Sequence, residues 1–263
     1  MDEELVEKFA ERHSILVTNR VKQEAIAISW IIRARSQING LESSLNRLGN
    51  KIIEPYLSYL MLLRVFEYAE GSLVSLVTNN MRAANALART VTESAITLMY
   101  ILEDDRTNRL IQYFLNSIEH EQKQIEKLSK SPAKEDMVPN SHKGLQNRLD
   151  LLKNFVEQIA KETGTTHIKA SWPNIFDMFT KSGHEKSYRT AYAQMSSMVH
   201  DNPIQMLDML MFFNYAFQSK DWDALGMRIA GEMGAERMAV YLGINYCLEA
   251  ACKFSDSFSF TQY

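Results

Sequence analysis

Five residues at four-residue spacing carry the clearest chemical signal in this sequence. Arg89 and Glu93 form one set, and Tyr192, Ser196 and His200 form the other. Residues four apart on a helix lie on one face, so the members of each set can act together. In a catalytic interpretation His200 is the general base and Arg89 stabilises phosphate charge, while Tyr192 and Ser196 position the substrate. That chemistry is cleavage of a phosphodiester, such as RNA, without a metal ion.

The same five side chains also suit a buried polar network. In that interpretation Arg89, Glu93, Tyr192, Ser196 and His200 hydrogen-bond to one another and fix the register of packed helices. We prefer this hypothesis of a non-catalytic interaction or structural module. The ribonuclease is the first alternative, and a small-ligand sensor is the second.

The first set lies on a helix predicted over Asn80 to Asp105, which is strongly apolar from Ser94 to Leu102. At 100° per residue one narrow stripe forms the core face. Its members are Leu87, Val91, Ala95, Leu98 and Leu102. Arg89 and Glu93 fall on the adjacent stripe, so we expect them to be partly buried. Partly buried charges need further partners, which other helices must supply.

The second set lies on a helix predicted over Glu185 to His200, which the turn Asp201-Asn202-Pro203 ends. Met195 and Val199 mark its core side, and Tyr192, Ser196 and His200 form a slanting stripe near the boundary with water. Such a stripe suits either the wall of a cleft or a contact between two helices.

Together, the two sets resemble a family of bacterial all-helical proteins known only as a domain of unknown function. The resemblance rests on Arg89-x3-Glu93 and on Tyr192-x3-Ser196-x3-His200, and it extends over roughly residues 55–254. It implies an all-α fold and these five site residues, but no particular reaction. A more distant similarity is to the HEPN superfamily of ribonucleases from toxin–antitoxin and phage-defence systems. Its motif places four to six residues between Arg and His on one helix, whereas ten residues separate Arg189 from His200.

Several other chemistries lack their usual spacing. The sequence contains no Glu-x2-His pair, no Cys-x2-Cys and no glycine-rich phosphate loop, so we expect no metal and no cofactor. A basic series follows the apolar middle of the first predicted helices, and we interpret it as a solvated face, with a phosphate-binding strip as the alternative. The series comprises Arg33, Arg35, Arg47 and Lys51. Five further histidines are expected on the surface: His13, His120, His142, His167 and His184.

Composition favours a helical protein of the cytoplasm. The 263 residues include only 10 Gly and 5 Pro, and the net charge of −3 gives no general attraction to nucleic acid or membranes. Cys247 and Cys252 lie five apart on a predicted helix and point in different directions, so we expect no disulfide between them. Partners left open are a second copy of the chain or another protein, with RNA only under the ribonuclease alternative and no membrane.

The periodicity predicts an all-α multi-helix bundle of about eight to ten helices around the central apolar helix. Residues 1–54 are expected to form an N-terminal helical extension, 55–254 the bundle domain and 255–263 a frayed tail. The segment Ser131 to Asn140 contains two prolines and is predicted to be a loop.

Overall fold

The computed structural model is all-α, which confirms the predicted fold class. It describes residues 3–45, 53–129, 138–164, 171–193, 195–196, 207, 210–212, 214, 218–220 and 222–258. Within these ranges there are eleven α-helices and no strand, and eight of the helices have seven or more residues. The helices are α1 (Glu3–Arg12), α2 (Asn19–Gln23), α3 (Ala25–Gly40), α4 (Glu42–Leu45), α5 (Ile53–Val77), α6 (Met81–Leu102), α7 (Arg106–Ser129), α8 (Val138–Thr163), α9 (Ile175–Lys181), α10 (Glu185–Ser187) and α11 (Trp222–Ser257).

The chain forms two compact units. The first consists of Met1–Met99 and Ile175–Tyr263, and the second of Tyr100–Asn174. In the first unit α3 packs against α1, α5 and α11, and α5 packs along α11. In the second unit α7 and α8 pack against each other. None of the described helices combines the length and apolar character needed to cross a bilayer.

The junction between α5 and α6 is defined by two adjacent asparagines. Asn79 has a φ of 65°, and the Asn80 amide donates to the carbonyl of Ser75 at 2.8 Å. A left-handed residue with this hydrogen bond is a Schellman motif, which satisfies the last carbonyls of α5. The Asn80 side chain then accepts from the Ala83 amide at 3.3 Å and caps α6. These two caps fix where the helix that carries Arg89 and Glu93 begins.

One face of helix α6 is fully buried. Val91, Ala95 and Leu98 of the predicted core stripe are fully buried, as is Ala88. A Cβ atom on Gly243 of α11 would lie 3.1 Å from the carbonyl oxygen of Ala88. The absence of a side chain at Gly243 therefore allows the two helix backbones to approach closely.

The start of α8 differs from the sequence prediction. The sequence predicts a loop from Ser131 to Asn140, whereas α8 begins at Val138, within that segment. Pro139 lies in its first turn, where a missing amide proton removes no helical hydrogen bond. Residues 131–137 lie outside the described ranges.

Candidate functional site

Arg89 and Glu93 form an ion pair on α6. The Arg89 Nε atom donates to Glu93 Oε1 at 2.9 Å, and the two side chains are 22% and 37% exposed. This partial burial agrees with their position beside the core stripe. The pair retains some solvent, so it is neither a surface salt bridge nor a fully desolvated one.

Tyr192 supplies the further partner that this pair requires. Its hydroxyl donates to Glu93 Oε1, the same oxygen that accepts from Arg89. The Arg89 guanidinium lies over the Tyr192 ring, 5.7 Å from its centroid, at a distance suited to cation–π attraction. We call Arg89, Glu93 and Tyr192 the central cluster. Each of its three members contacts both of the others.

A π-helical segment positions Tyr192. Tyr188–Tyr192 follows α10 directly as a π-helix, whereas the sequence predicted a continuous α-helix from Glu185 to His200. A π-helix has i→i+5 hydrogen bonds, so the stripe expected from α-helical geometry is altered in this segment. Tyr188 and Tyr192 stack with their ring centroids 5.1 Å apart. Single-turn π segments occur frequently at functional sites.

Aromatic packing holds the Tyr192 ring in place. Phe179 of α9 contacts Tyr192 at 5.2 Å and Tyr188 at 5.3 Å between ring centroids. Phe179 also contacts Tyr246 of α11 at 6.0 Å. Ring pairs at these distances add stability beyond the area that they bury. Tyr192 itself is only 4% exposed. The packing of its ring therefore holds the hydroxyl in position to donate to Glu93.

The environment holds Tyr192 neutral and Arg89 charged. Burial, followed by the hydrogen bond to Glu93, raises the pKa of Tyr192 from 10 to about 12. Burial lowers the pKa of Arg89, but the hydrogen bonds and charges of Glu93 and Tyr192 outweigh it, so this pKa is raised. Near neutral pH Tyr192 is thus a hydrogen-bond donor and Arg89 a permanent cation.

Of the other two predicted residues, only Ser196 lies within the described ranges. Ser196 is half-buried, one turn beyond Tyr192. His200 lies outside the described residues.

A second cluster repeats the same three residue types, and the sequence analysis did not identify it. Tyr241 donates to Glu24 Oε2, and Arg237 Nε lies 2.9 Å from Glu24 Oε1. The Arg237 guanidinium lies 5.4 Å from the centroid of the Tyr241 ring. We call Glu24, Arg237 and Tyr241 the α11 cluster. Its only sequence signal is the four-residue spacing of Arg237 and Tyr241 on α11.

A third polar group surrounds Glu70, a buried carboxylate of α5. Arg35 Nη1 lies 2.8 Å from Glu70 Oε2, Arg12 Nη1 lies 3.2 Å from Oε1, and His13 Nε2 lies 3.4 Å from Oε2. His13 and His184 are both partly buried, so neither has the fully exposed position expected from the sequence. His184 Nε2 lies 3.0 Å from Glu249. Each histidine therefore has its Nε2 atom within 3.4 Å of a carboxylate that is remote in sequence.

The described residues offer little for metal or thiol chemistry. No group of His, Cys, Asp and Glu among them is arranged to hold a metal ion. Cys247 and Cys252 are both free thiols, and burial raises the pKa of the Cys247 thiol. A buried thiol with a raised pKa is a poor nucleophile.

Comparison with known proteins identifies a family but no characterised relative. No curated protein matches the chain, and no solved structure does. Residues 56–216, more than half of the chain, match the Family of unknown function (DUF5677). This range includes the central cluster, whereas Glu24, Arg237 and Tyr241 lie outside it. The resemblance to a domain of unknown function is therefore confirmed, and the chain belongs to the DUF5677 family.

Proposed function

We propose that this protein is a non-catalytic helical interaction or structural module in which the central cluster locks α6 to the π-helical segment. The observation that carries the proposal is the shared Glu93 oxygen. It accepts from Arg89 on its own helix and from Tyr192, which is 99 residues away in the sequence. One carboxylate therefore ties two distant segments together. Networks of this kind specify a single packing arrangement when their members are satisfied.

The protonation states of Tyr192 and Arg89 argue against either side chain as a general acid or base near neutral pH. A general acid or base works best with a pKa near the operating pH. The pKa of Tyr192 is about 12, which is far above neutrality, and the Tyr192 ring is almost fully buried. Arg89 keeps its proton throughout the physiological range. Neither side chain is therefore suited to proton transfer near pH 7.

The ribonuclease alternative depends on a different residue. It requires His200 as general base, and His200 lies outside the described residues. The HEPN similarity and a role in phage defence depend on the same histidine. The contacts described for Arg89 and Tyr192 favour the structural hypothesis instead. We also propose a cytoplasmic location, which the two free cysteines support.

Stability and RNA cleavage should be measured on the same preparations of wild type and Arg89→Gln. The structural proposal predicts a lower free energy of unfolding for the variant and no RNA cleavage by the wild type. Arg82→Gln is the matched control, because Arg82 is an exposed arginine on the same helix. RNA cleavage by the wild type that Arg89→Gln abolishes, at unchanged stability, would reject the proposal.

A further inference from the structure

One face of α5 is partly or fully exposed along most of the helix. Its residues follow one another at alternating separations of three and four, and the last directly follows the helix. They are Leu57, Leu60, Arg64, Glu67, Gly71, Val74 and Thr78, all of them exposed or half-buried. A seven-residue repeat of this kind is the pattern by which two helices pack along each other in a coiled coil. We call these seven residues the α5 stripe.

Two opposite charges occupy the centre of the α5 stripe. Arg64 and Glu67 are both exposed, and they lie three residues apart, close enough to pair with each other on one helix. Among the residues that the structure describes, however, neither side chain forms an ion pair. Both charges are therefore available to a molecule that presents opposite charges at matching positions.

A second copy of α5 presents those charges when it lies antiparallel to the first. If Arg64 of one copy faces Glu67 of the other, two-fold symmetry makes Glu67 of the first copy face Arg64 of the second. Two ion pairs then form at the centre of the contact. A parallel alignment in register would instead set each charge against its own kind, so the charges favour the antiparallel arrangement.

The apolar members of the α5 stripe match in the same alignment. Leu60, which is 41% exposed, faces the half-buried Gly71 of the second copy, and Leu57 faces Val74. Tyr56 lies beside the stripe and is 43% exposed, and tyrosine is enriched at protein interfaces. Apolar contacts therefore flank the charged centre on both sides.

We propose that this protein forms a homodimer in which the α5 stripes of two copies pack antiparallel. A second copy of the chain is then a partner of the interaction module. The dimer does not depend on the contacts of Arg89, Glu93 and Tyr192, so the two proposals can fail separately. A single helix pair buries less than the about 800 Å² per partner of a standard interface, so we expect a dissociation constant on the order of 10 µM.

Charge reversal at the centre of the α5 stripe tests this proposal in the full chain. Arg64→Glu and Glu67→Arg should each weaken self-association by about tenfold or more, because like charges then face each other. Sedimentation velocity over a range of protein concentrations measures the dissociation constants. Both positions are exposed, so the melting temperatures of the variants should stay close to that of the wild type.

An equimolar mixture of the two variants provides the rescue. One variant carries two carboxylates at the facing positions and the other carries two cations, so the mixture should associate about as tightly as the wild type. Arg82→Glu is the matched control, because Arg82 is an exposed arginine of α6 outside the α5 stripe. It should leave the dissociation constant of the dimer unchanged.

Three results would overturn the proposal. The first is a wild type that stays monomeric at about 200 µM, which would leave the α5 stripe to a different protein. The second is equal weakening by Arg82→Glu, because it would show a general effect of net charge. The third is a mixture of Arg64→Glu and Glu67→Arg that associates no better than either variant alone, because it would place the contact elsewhere.

Discussion

The central cluster and the α11 cluster contain the same three residue types but bury different members. In the central cluster the tyrosine is buried, while the Glu93 side chain is 37% exposed. In the α11 cluster the carboxylate is buried, with Glu24 only 3% exposed, while the Arg237 side chain is 41% exposed. Both carboxylates accept from one arginine and one tyrosine. The two clusters therefore differ mainly in how much water reaches the negative charge.

This difference determines how strongly each carboxylate depends on its partners. Glu93 can exchange a lost hydrogen bond for water, because part of its side chain is already solvated. Glu24 has much less access to solvent, so its charge depends on Arg237 and Tyr241. Removing the partner of a buried charge costs far more than removing the partner of a solvated one. The same contacts therefore have different energetic consequences.

Substitution of the arginine should give the largest difference in unfolding free energy between the two clusters. Arg237→Met leaves the buried Glu24 carboxylate without its cation and should cost about 3 kcal/mol of unfolding free energy. Arg89→Met leaves the more exposed Glu93 and should cost about 1 kcal/mol. Urea denaturation of both variants measures the difference, with Arg82→Met as the control for loss of an exposed arginine. Equal losses at Arg237 and Arg89 would show that carboxylate burial does not determine the cost.

Removal of the tyrosine hydroxyl should also destabilise the α11 cluster more than the central cluster, but by a smaller margin. Tyr241→Phe deprives the buried Glu24 oxygen of a donor and should cost about 2 kcal/mol. Tyr192→Phe keeps the ring packing on Phe179 and should cost about 1 kcal/mol, because water can reach Glu93. The two free energies of unfolding can be measured by the same urea denaturation. A larger loss of stability in Tyr192→Phe than in Tyr241→Phe would contradict the claim that the more buried carboxylate depends more on its partners.

Alkaline pH should reveal the contribution of the Tyr192 proton. The pKa of Tyr192 is raised from 10 to about 12, so the folded protein retains this proton after the unfolded chain has lost it. The contribution of this proton to the free energy of unfolding is complete below pH 10 and is lost as the pH rises from 10 toward 12. The stability difference between wild type and Tyr192→Phe should therefore shrink between pH 8 and pH 11. A constant difference would mean that the tyrosine hydroxyl is not held in its neutral form by folding.

The helix that carries Arg89 and Glu93 was predictable because its signals are local. Apolar periodicity and the Asn80 cap define α6, and four-residue spacing places both charges on one face. The partial burial of the pair followed from its position beside the core stripe. Tyr192 was among the candidates because it lies at four-residue spacing from Ser196 in a second helix.

The remaining polar groups depend on tertiary contacts that spacing does not encode. Glu24 and Tyr241 are 217 residues apart, and Arg12 and Glu70 are 58 apart. The π-helical segment at Tyr188–Tyr192 was also not predicted, because its residues suit an α-helix locally. Packing of Tyr188 and Tyr192 on Phe179 accompanies that departure from α-helical geometry.

A double-mutant cycle between Glu93 and Tyr192 tests the central claim most directly. The cycle compares the unfolding free energies of wild type, Glu93→Ala, Tyr192→Phe and the double variant, because alanine removes the oxygen that accepts from Tyr192. If the shared carboxylate ties the π-helical segment to α6, the two residues should be coupled by about 1 kcal/mol. Strictly additive losses would show that the two side chains do not stabilise each other, and the structural role proposed for the central cluster would be wrong.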